Sequence, residues 1–221
     1  MVIIEAAVES LDSALAAADG GANRIELCTD LARGGTTPEV QLLRDCRARL
    51  SLPIFVLVRP RPGNFVYSAA EHRTMLEQIR RATDAGAHGI VTGELTASGR
   101  IAEPLTAELC AAARPLPVTF HRAFDECVEQ AQALALERLI DLGIERVLTS
   151  GGAATAPEGA AQLRSLIAQA KNRIVVLPGG GINADNVVDL LQVSGAHEIH
   201  FSVRDAEKVR RVNSSIARWR P

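Results

Sequence analysis

Asp19-Gly20-Gly21-Ala22-Asn23-Arg24-Ile25-Glu26 is the first of four similar stretches that decide the fold of this chain of 221 residues. In each stretch a polar residue and a glycine end a helical segment, and an apolar run then begins a strand. The other three stretches are 84–91, 141–148 and 194–200. Their aligned glycines lie 65, 57 and 52 residues apart, at Gly21, Gly86, Gly143 and Gly195. Such spacing fits one strand–helix–strand–helix unit, and four units predict eight strands and eight helices.

Eight β-rich segments alternate with helical patterns along the chain. The strands are predicted at 2–7, 23–28, 54–58, 88–92, 117–120, 145–149, 173–177 and 197–202. The helices are predicted at 10–19, 38–49, 70–85, 104–113, 127–142, 158–170, 184–192 and 205–219. Ser10 is expected to cap the first helix, and Pro38 to lie in the first turn of the second. Several strands are apolar throughout, which is typical of a parallel sheet between helices.

Strands that alternate with helices indicate an α/β protein, and four repeated units favour a closed barrel. We therefore predict a single (β/α)8 or TIM barrel, with an open doubly wound sheet as the structural alternative. The barrel is expected over 1–204, and a C-terminal helical tail over 205–221 is expected to pack against it. No linker or low-complexity tract indicates a second domain.

Composition excludes several classes of function. The net charge is −2, so that no overall field attracts nucleic acid or a membrane surface. We see no apolar run of the roughly 18 residues that a membrane span needs, and no signal-peptide pattern at the start. The four cysteines are scattered, which is typical of reduced thiols in a cytoplasmic protein. We therefore expect a cytoplasmic protein with a small-molecule or metal ligand, and we treat a homodimer as plausible.

Polar residues interrupt or end the predicted strands, and in a barrel the carboxyl ends of the strands carry the functional site. These residues are Glu5, Glu26, Arg59, Arg61, His121, Arg122, His200 and Ser202. The glutamates and histidines are candidates for acid–base chemistry, and the arginines are candidates for holding an anion. The alternative is a buried polar layer in which the glutamates only neutralise arginines.

Side chains alternate between the two faces of a strand, which predicts neighbours inside the barrel. Glu26 should share a side with Cys28, Arg59 with Arg61, and His200 with Ser202. Cys28 is the cysteine at a strand end, so it is the candidate thiolate of a copper site that would add histidine and glutamate ligands. Copper is therefore an open alternative on these residues. Lys171 and Lys208 do not lie at strand ends, which excludes a Schiff-base aldolase.

Glycine-rich turns follow the sixth and seventh predicted strands. They contain Ser150 and Gly151, and then Gly179, Gly180 and Gly181. Backbone N–H groups at a helix start attract anions, and glycine lets a ligand approach closely. These turns predict a phosphorylated or carboxylated ligand, unless the glycines only make tight turns. The chain contains no G-x-x-x-x-G-K-[ST] loop, and we expect no nucleotide cofactor.

The strand-end strings resemble those of the CutC family of copper homeostasis proteins. The matching strings are RIELC at 24–28, GGTTP at 34–38, RPRPGNFVY at 59–67, VTFHRAFD at 118–125, RVLTSGG at 146–152, GGGI at 179–182 and EIH at 198–200. The resemblance covers about 1–203. It implies a cytoplasmic barrel linked to copper tolerance, with copper binding proposed for some relatives.

The same resemblance adds Asp125 to the catalytic candidates, because the string from His121 to Asp125 is intact. It also shows a departure at Ala7, where many relatives of the family have a cysteine. A copper site that used that thiol would be missing here. The retained residues therefore favour a catalytic pocket over a thiolate copper site.

Overall fold

A computed structural model of the chain describes residues 2–127 and 132–219. In these ranges eight strands alternate with eight α-helices. The strands are β1 (Ile3–Val8), β2 (Arg24–Leu27), β3 (Ile54–Leu57), β4 (Gly89–Thr92), β5 (Val118–Phe120), β6 (Arg146–Thr149), β7 (Val175–Pro178) and β8 (Glu198–Ser202). The helices are α1 (Leu11–Asp19), α2 (Val40–Arg49), α3 (Ala69–Asp84), α4 (Glu103–Ala113), α5 (Gln132–Asp141), α6 (Ala160–Ala170), α7 (Val187–Ser194) and α8 (Ala206–Arg218).

All eight strands are parallel and follow one another around a nearly closed barrel. Their order is β7-β6-β5-β4-β3-β2-β1-β8. A bridge between Gly179 and His200 brings the end of β7 to β8, where the ring closes. The predicted (β/α)8 barrel is thus confirmed and the open sheet is wrong.

Alternation along the strands divides the buried side chains into an outer and an inner set. Outward residues such as Ile4, Ile25 and Ile54 join the large apolar core between strands and helices. Inside the barrel there is a small separate apolar cluster of Cys28, Phe55, Leu57 and Val91. The remaining interior near β1, β2 and β8 is filled by charged side chains, and this polar interior positions the candidate site.

The helix starts follow the local sequence with one correction. Ser10 caps α1 as predicted: its hydroxyl accepts the N–H of Ser13 at 3.1 Å, and the Ser13 hydroxyl pairs back to Ser10. Pro38 is not in the first turn of α2, because that helix begins at Val40 with Glu39 as its N-cap. The prediction of a helix from 127 partly falls at 128–131, outside the described residues, and Gln132–Asp141 of it is helical.

The last helix, α8, begins at Ala206, and its N-cap Asp205 has a carboxylate that accepts the N–H of Lys208. It buries Val209 and Val212, and Val209 approaches so closely that a Cβ at Gly20 would lie 2.6 Å from it. Gly20 at the end of α1 therefore allows α8 to pack there. Of the helices described, none has the length and apolar character needed to cross a bilayer.

Candidate active site inside the barrel

Strands β1, β2 and β8 bring Glu5, Glu26 and His200 together inside the barrel. Glu5 lies opposite His200 in the register of β1 and β8, and β2 follows on the other side of β1. Ligand atoms of the three side chains all lie within 4.8 Å of one another. Glu5 is fully buried, and Glu26 and His200 are 5% and 9% exposed. The structure thus brings together three of the residues that the sequence analysis singles out.

A chain of charged side chains leads from the amino-terminal end of the barrel to this cluster. Arg146 and Arg24 begin β6 and β2, and both donate to Oε2 of Glu198, from Nε at 3.2 Å and from Nη2 at 2.6 Å. Arg24 Nε also donates to Oε2 of Glu5. The other oxygen of Glu5 accepts from His200 Nδ1 at 2.8 Å. Both oxygens of Glu5 are therefore committed to protein partners.

The surroundings of Glu5 and His200 favour their charged forms. Burial alone would raise the pKa of Glu5, but the hydrogen bond from His200 and the charge of Arg24 lower it to about 2. Burial would lower the pKa of His200, yet the carboxylates of Glu26 and Glu5 raise it above its usual value. Glu5 is thus a fixed anion that orients His200, and it is not free to exchange protons at neutral pH.

Glu26 is the group in this cluster that is free to titrate. Its Oε2 atom lies 3.9 Å from His200 Nδ1 and has no hydrogen-bond partner in the described part of the chain. Burial raises the pKa of Glu26 to about 7, although the charges of His200 and Arg24 oppose the rise. A carboxyl group with this pKa can accept or donate a proton at neutral pH, which suits general acid–base catalysis.

His121 lies at the carboxyl end of β5 as a buried, neutral imidazole. It caps a short 3₁₀ helix, Arg122–Glu126, where its Nδ1 accepts the N–H of Ala123 at 3.2 Å. Burial, helped by the charge of Arg59, lowers the pKa of His121 to about 3. Because Nδ1 is an acceptor, the proton of the neutral ring is on Nε2. The acid–base role of His121 stays a prediction, and the Nε2–H group of the neutral ring is a hydrogen-bond donor without a partner among the described residues.

Arg59 and Arg61 both hold loops at the barrel mouth, through different partners. Arg59 donates to the carbonyl oxygens of Gly34 and Gly35 at 3.0 Å and of Gly63 at 2.7 Å. Arg61 pairs with Glu71 in the first turn of α3. Strand β3 ends at Leu57, so side-chain alternation no longer applies at these positions.

Asp125 anchors the turn after β6. Its carboxylate accepts from the hydroxyl of Thr149, from Ser150 N at 3.0 Å, from Gly152 N at 3.1 Å and from Arg122 Nε at 2.8 Å. These bonds use its acceptor capacity. Asp125 thus has structural contacts on both oxygens, and its catalytic role stays a prediction.

The remaining anion candidates lie in the same turns. Arg122 Nη2 donates to the hydroxyl of Ser150 at 2.9 Å, and Gly151 N donates to Thr149.

The glycines after β7 lie beside two of the charged side chains. Gly180 faces the guanidinium of Arg122, and with Gly181 it adopts positive φ, at +104° and +72°. Gly179 lies over the imidazole, where a Cβ would be 3.3 Å from His200 Cδ2. Ser202 is exposed at the end of β8, away from the buried cluster.

Comparison with known proteins gives the family. The family model described as CutC matches residues 2–205. This chain belongs to the CutC family. It is 48% identical to a human protein named copper homeostasis protein cutC homolog, over 97% of this chain and 79% of that protein. It is 44% identical to a family protein CutC of Xylella fastidiosa (strain Temecula1 / ATCC 700964), over 96% and 78% of the two chains.

Solved structures agree with this CutC assignment. The crystal structure of a copper homeostasis protein CutC from Streptococcus agalactiae matches with a TM-score of 0.87 and 32% identity, over 91% of this chain and 98% of that one. A phosphoribosylanthranilate isomerase from Pyrococcus furiosus matches with a TM-score of 0.63 but only 15% identity, over 99% and 100% of the two chains. That second likeness shows the barrel fold alone.

Cys28 is buried in this CutC protein as a thiol. As the alternation predicts, it lies on the inner side with Glu26, beside Phe55 and Leu57. Its Sγ donates to the carbonyl oxygen of Val8 at 3.4 Å. Burial raises the pKa of Cys28, and the negative charges of Glu26 and Glu9 raise it further. Metal binding needs the thiolate, so these surroundings disfavour Cys28 as a copper ligand.

Sequence reasoning missed three residues on the amino-terminal side of the cluster: Arg24, Arg146 and Glu198. Each is the first residue of a strand, and all three form ion pairs inside the barrel of this CutC protein. A signal for Arg24 was present, since it lies two residues before Glu26 and so shares its face. Which charges pair across the barrel depends on the register between distant strands, and this information is not local.

Proposed function

We propose that this CutC protein is an acid–base enzyme that acts on a small anionic molecule at the carboxyl-terminal mouth of its barrel. The proposal is carried by Glu26, a buried carboxyl group with a free Oε2 atom and a pKa near neutrality. A structural carboxylate is expected to be fully paired, as Glu5 and Asp125 are. Glu26 instead resembles the tuned acids and bases of enzyme active sites.

In the proposed reaction Glu26 takes a proton from the bound molecule. The bond from the substrate atom to hydrogen breaks, its electron pair stays on the substrate, and an O–H bond forms at Oε2. The proton then returns to another position of the same molecule, so that the net reaction is an isomerisation and needs no further reactant. His200, whose pKa the carboxylates of Glu26 and Glu5 raise, offsets in its protonated form the negative charge that builds up on the substrate.

The relatives' names connect the family with copper homeostasis, and we extend that connection to this chain. In our proposal the protein lies in the cytoplasm. It contributes to copper homeostasis through the reaction of its anionic substrate. The four cysteines are free thiols, which suits a reducing compartment. Apart from Cys28 they lie outside the charged cluster, in or beside the outer helices.

Proton exchange in D₂O tests the enzyme proposal with a panel of small anionic compounds. Hydroxy acids, keto acids and sugar phosphates are incubated with the protein, and loss of C–H signals is followed by proton NMR. The wild type should exchange at least one compound, with a rate that rises through about pH 7 as Glu26 ionises. Glu26→Gln should slow the exchange by about 100-fold or more.

Glu94→Gln is the matched control for this experiment. Glu94 is also a buried carboxyl group beside a histidine, at 2.7 Å from His72 Nδ1, but it packs against α3 and α4 outside the barrel interior. This variant should keep the exchange rate of the wild type. Exchange by no compound, or equal exchange by Glu26→Gln, would refute the proposal.

Copper binding is a second candidate, because Glu5, Glu26 and His200 present donor atoms within 4.8 Å of one another. The donors fit copper poorly in two respects. Arg24 and His200 already occupy both oxygens of Glu5, and two carboxylates suit hard divalent ions more than Cu(I). The softer donor, Cys28, is held as a thiol. We therefore place this candidate second.

Anaerobic titration with Cu(I), and aerobic titration with Cu(II), decide between the two candidates. If copper binds at the cluster, His200→Asn and Glu26→Gln should each weaken binding by about tenfold or more. Cys46→Ala is the control, because Cys46 is a buried thiol of α2 that packs in the outer core. Tight copper binding lost in the two cluster variants alone would favour the metal site over the enzyme.

A further inference from the structure

Arg59 is a buried cation without an acidic partner. Its side chain is 6% exposed, and its guanidinium donates to main-chain oxygens. Across 2–127 and 132–219 no ion pair includes Arg59, and its Nε–H group makes no hydrogen bond of acceptable distance and angle, although the Tyr67 hydroxyl, likewise without a partner, lies near this guanidinium. A buried charge is costly unless a counter-charge and hydrogen bonds offset that cost. This guanidinium therefore has an unused donor and an unmatched charge.

His121 supplies a second unused donor near Arg59. Its ring carries the proton on Nε2, because Nδ1 accepts the N–H of Ala123. The residue is 4% exposed, and within the described ranges Nε2 has no partner. Phe65 contacts both residues: its ring centroid lies 4.7 Å from Arg59 Cζ and 4.8 Å from the His121 centroid. The two donors thus lie around one aromatic ring at the mouth of the barrel.

We propose that Arg59 Nε and His121 Nε2 form a subsite for one carboxylate group of the substrate, and that Phe65 covers it. The carboxylate would accept from the two N–H groups with its two oxygens and would supply the missing negative charge. Phosphate is disfavoured because its larger charge and additional oxygens need more donors than this enclosed position offers. This inference rests on the proposed function and adds a substrate class, the small carboxylic acids.

Phe65 must move before a ligand can reach this subsite. Both donor atoms are shielded from water, and Phe65 itself is only 9% exposed. Phe65 belongs to the loop between β3 and α3, and its carbonyl oxygen accepts from Leu95 N at 2.9 Å. This bond holds the main chain and not the ring, and in our proposal rotation of the Phe65 side chain uncovers the donors. Phe65→Leu, with a smaller side chain, should therefore increase the rate of ligand association.

The Nε2–H signal of His121 in ¹⁵N-labelled protein gives a direct test. The protein is titrated with acetate, glycolate and oxalate, with inorganic phosphate as the competing anion and chloride as the control for ionic strength. At least one carboxylate should shift this signal downfield in a saturable way and raise the melting temperature. The proposal is overturned if no carboxylate moves the signal, or if phosphate moves it and the carboxylates do not.

Variants connect the effect to the two donors. His121→Asn keeps a side-chain acceptor for the capped N–H group but loses the Nε2 donor, and should weaken carboxylate binding by about tenfold. Arg59→Met should weaken it at least as much. Arg33→Met is the control, since Arg33 is an arginine near the mouth whose exposed side chain pairs with Asp30, and binding should change less than twofold. Equal effects at Arg59 and Arg33 would contradict the subsite.

Glu26→Gln separates this inference from the proposed function. That variant removes the acid–base group and leaves both donors of the subsite in place, so the carboxylate-induced shift of the His121 signal should persist. Absence of proton exchange by the wild type, with the shift intact, would remove the enzyme proposal and leave the subsite standing. Loss of the shift in the Glu26 variant would instead show that the carboxylate binds at Glu26 and would overturn the subsite.

Discussion

Individual residues of this CutC protein owe their chemical state to burial and to one or two charged neighbours. Glu5 and Glu26 are both buried glutamates inside the same barrel, yet the pKa of Glu5 falls to about 2 and that of Glu26 rises to about 7. The difference follows from hydrogen bonding, because Arg24 and His200 bond to Glu5 whereas Oε2 of Glu26 has no partner among the described residues. Carboxyl groups whose pKa values are pushed apart in this way can have different roles in one site.

The raised pKa of Glu26 predicts a pH dependence of stability. The unfolded carboxyl group has a pKa of 4.5 and the folded one about 7, so folding favours the protonated form. That stabilisation is complete below pH 4.5 and is lost as the pH rises through about 7. Glu26→Gln, which imitates the protonated form, should therefore be more stable than the wild type at pH 8, by on the order of 2–3 kcal/mol.

Urea unfolding at pH 5 and pH 8 measures this effect. His200 changes in the same direction, since its pKa is also raised, so its contribution is likewise lost at high pH. The wild type should lose more stability between the two pH values than Glu26→Gln does. Parallel pH curves for the two proteins would contradict the titration that we assign to Glu26.

Cys28 should be protected from thiol reagents in the folded protein. It is fully buried, and its raised pKa keeps it as a thiol, which is a weak nucleophile. Cys110, which is partly exposed on α4, should react first with a maleimide at pH 7.5, as mass spectrometry of the digested protein would show. Cys28 should react only when urea unfolds the chain. Rapid labelling of Cys28 in the native protein would contradict its assigned state.

At the level of elements, the positions of helices and strands could be predicted because their signals are local. The glycines after α1 and before β2, and the hydroxyl that caps α1, act on neighbouring residues alone. The contacts of Arg61 could not be predicted, because β3 ends before it and the loop follows its contacts with α3. The role of Asp125 was equally hidden, since its partners are more than twenty residues away at Ser150 and Gly152.

The first turn of α3 should be sensitive to its cap. The hydroxyl of Ser68 accepts the N–H of Glu71, and the carboxylate of Glu71 accepts the N–H of Ser68 at 2.7 Å and pairs with Arg61. Ser68→Ala should lower the free energy of unfolding by about 1 kcal/mol. Glu71→Ala should cost more, since it also releases Arg61. Urea unfolding of both variants checks this order, and an equal loss would mean that Arg61 adds nothing.

At the scale of the whole molecule, the barrel interior contains different groups of charged side chains at successive levels along its axis. The amino-terminal end is closed by Arg24, Arg146 and Glu198, and both guanidinium groups lie over the ring of Phe55, at 5.1 and 5.4 Å. The cluster of Glu5, Glu26 and His200 follows, and loops held by Arg59 and Asp125 surround the mouth. The family and the barrel could be predicted from sequence strings, whereas this order of charges required the strand register. The expected homodimer stays a prediction.

The closed end of the barrel should be essential for stability, because Arg24 pairs with the buried carboxylate of Glu5 and with the partly buried carboxylate of Glu198. Arg24→Met leaves Glu5 and Glu198 without this partner, and should reduce the free energy of unfolding by about 3–5 kcal/mol. Arg210→Met is the control: Arg210 pairs with Asp19 on the surface, where both side chains are largely exposed, and its loss should cost about 1 kcal/mol or less. Adding Glu5→Gln to Arg24→Met should recover part of the stability, because it removes one unpaired charge. Similar losses for Arg24→Met and Arg210→Met in urea unfolding would show that the internal ion pairs do not hold this end of the barrel.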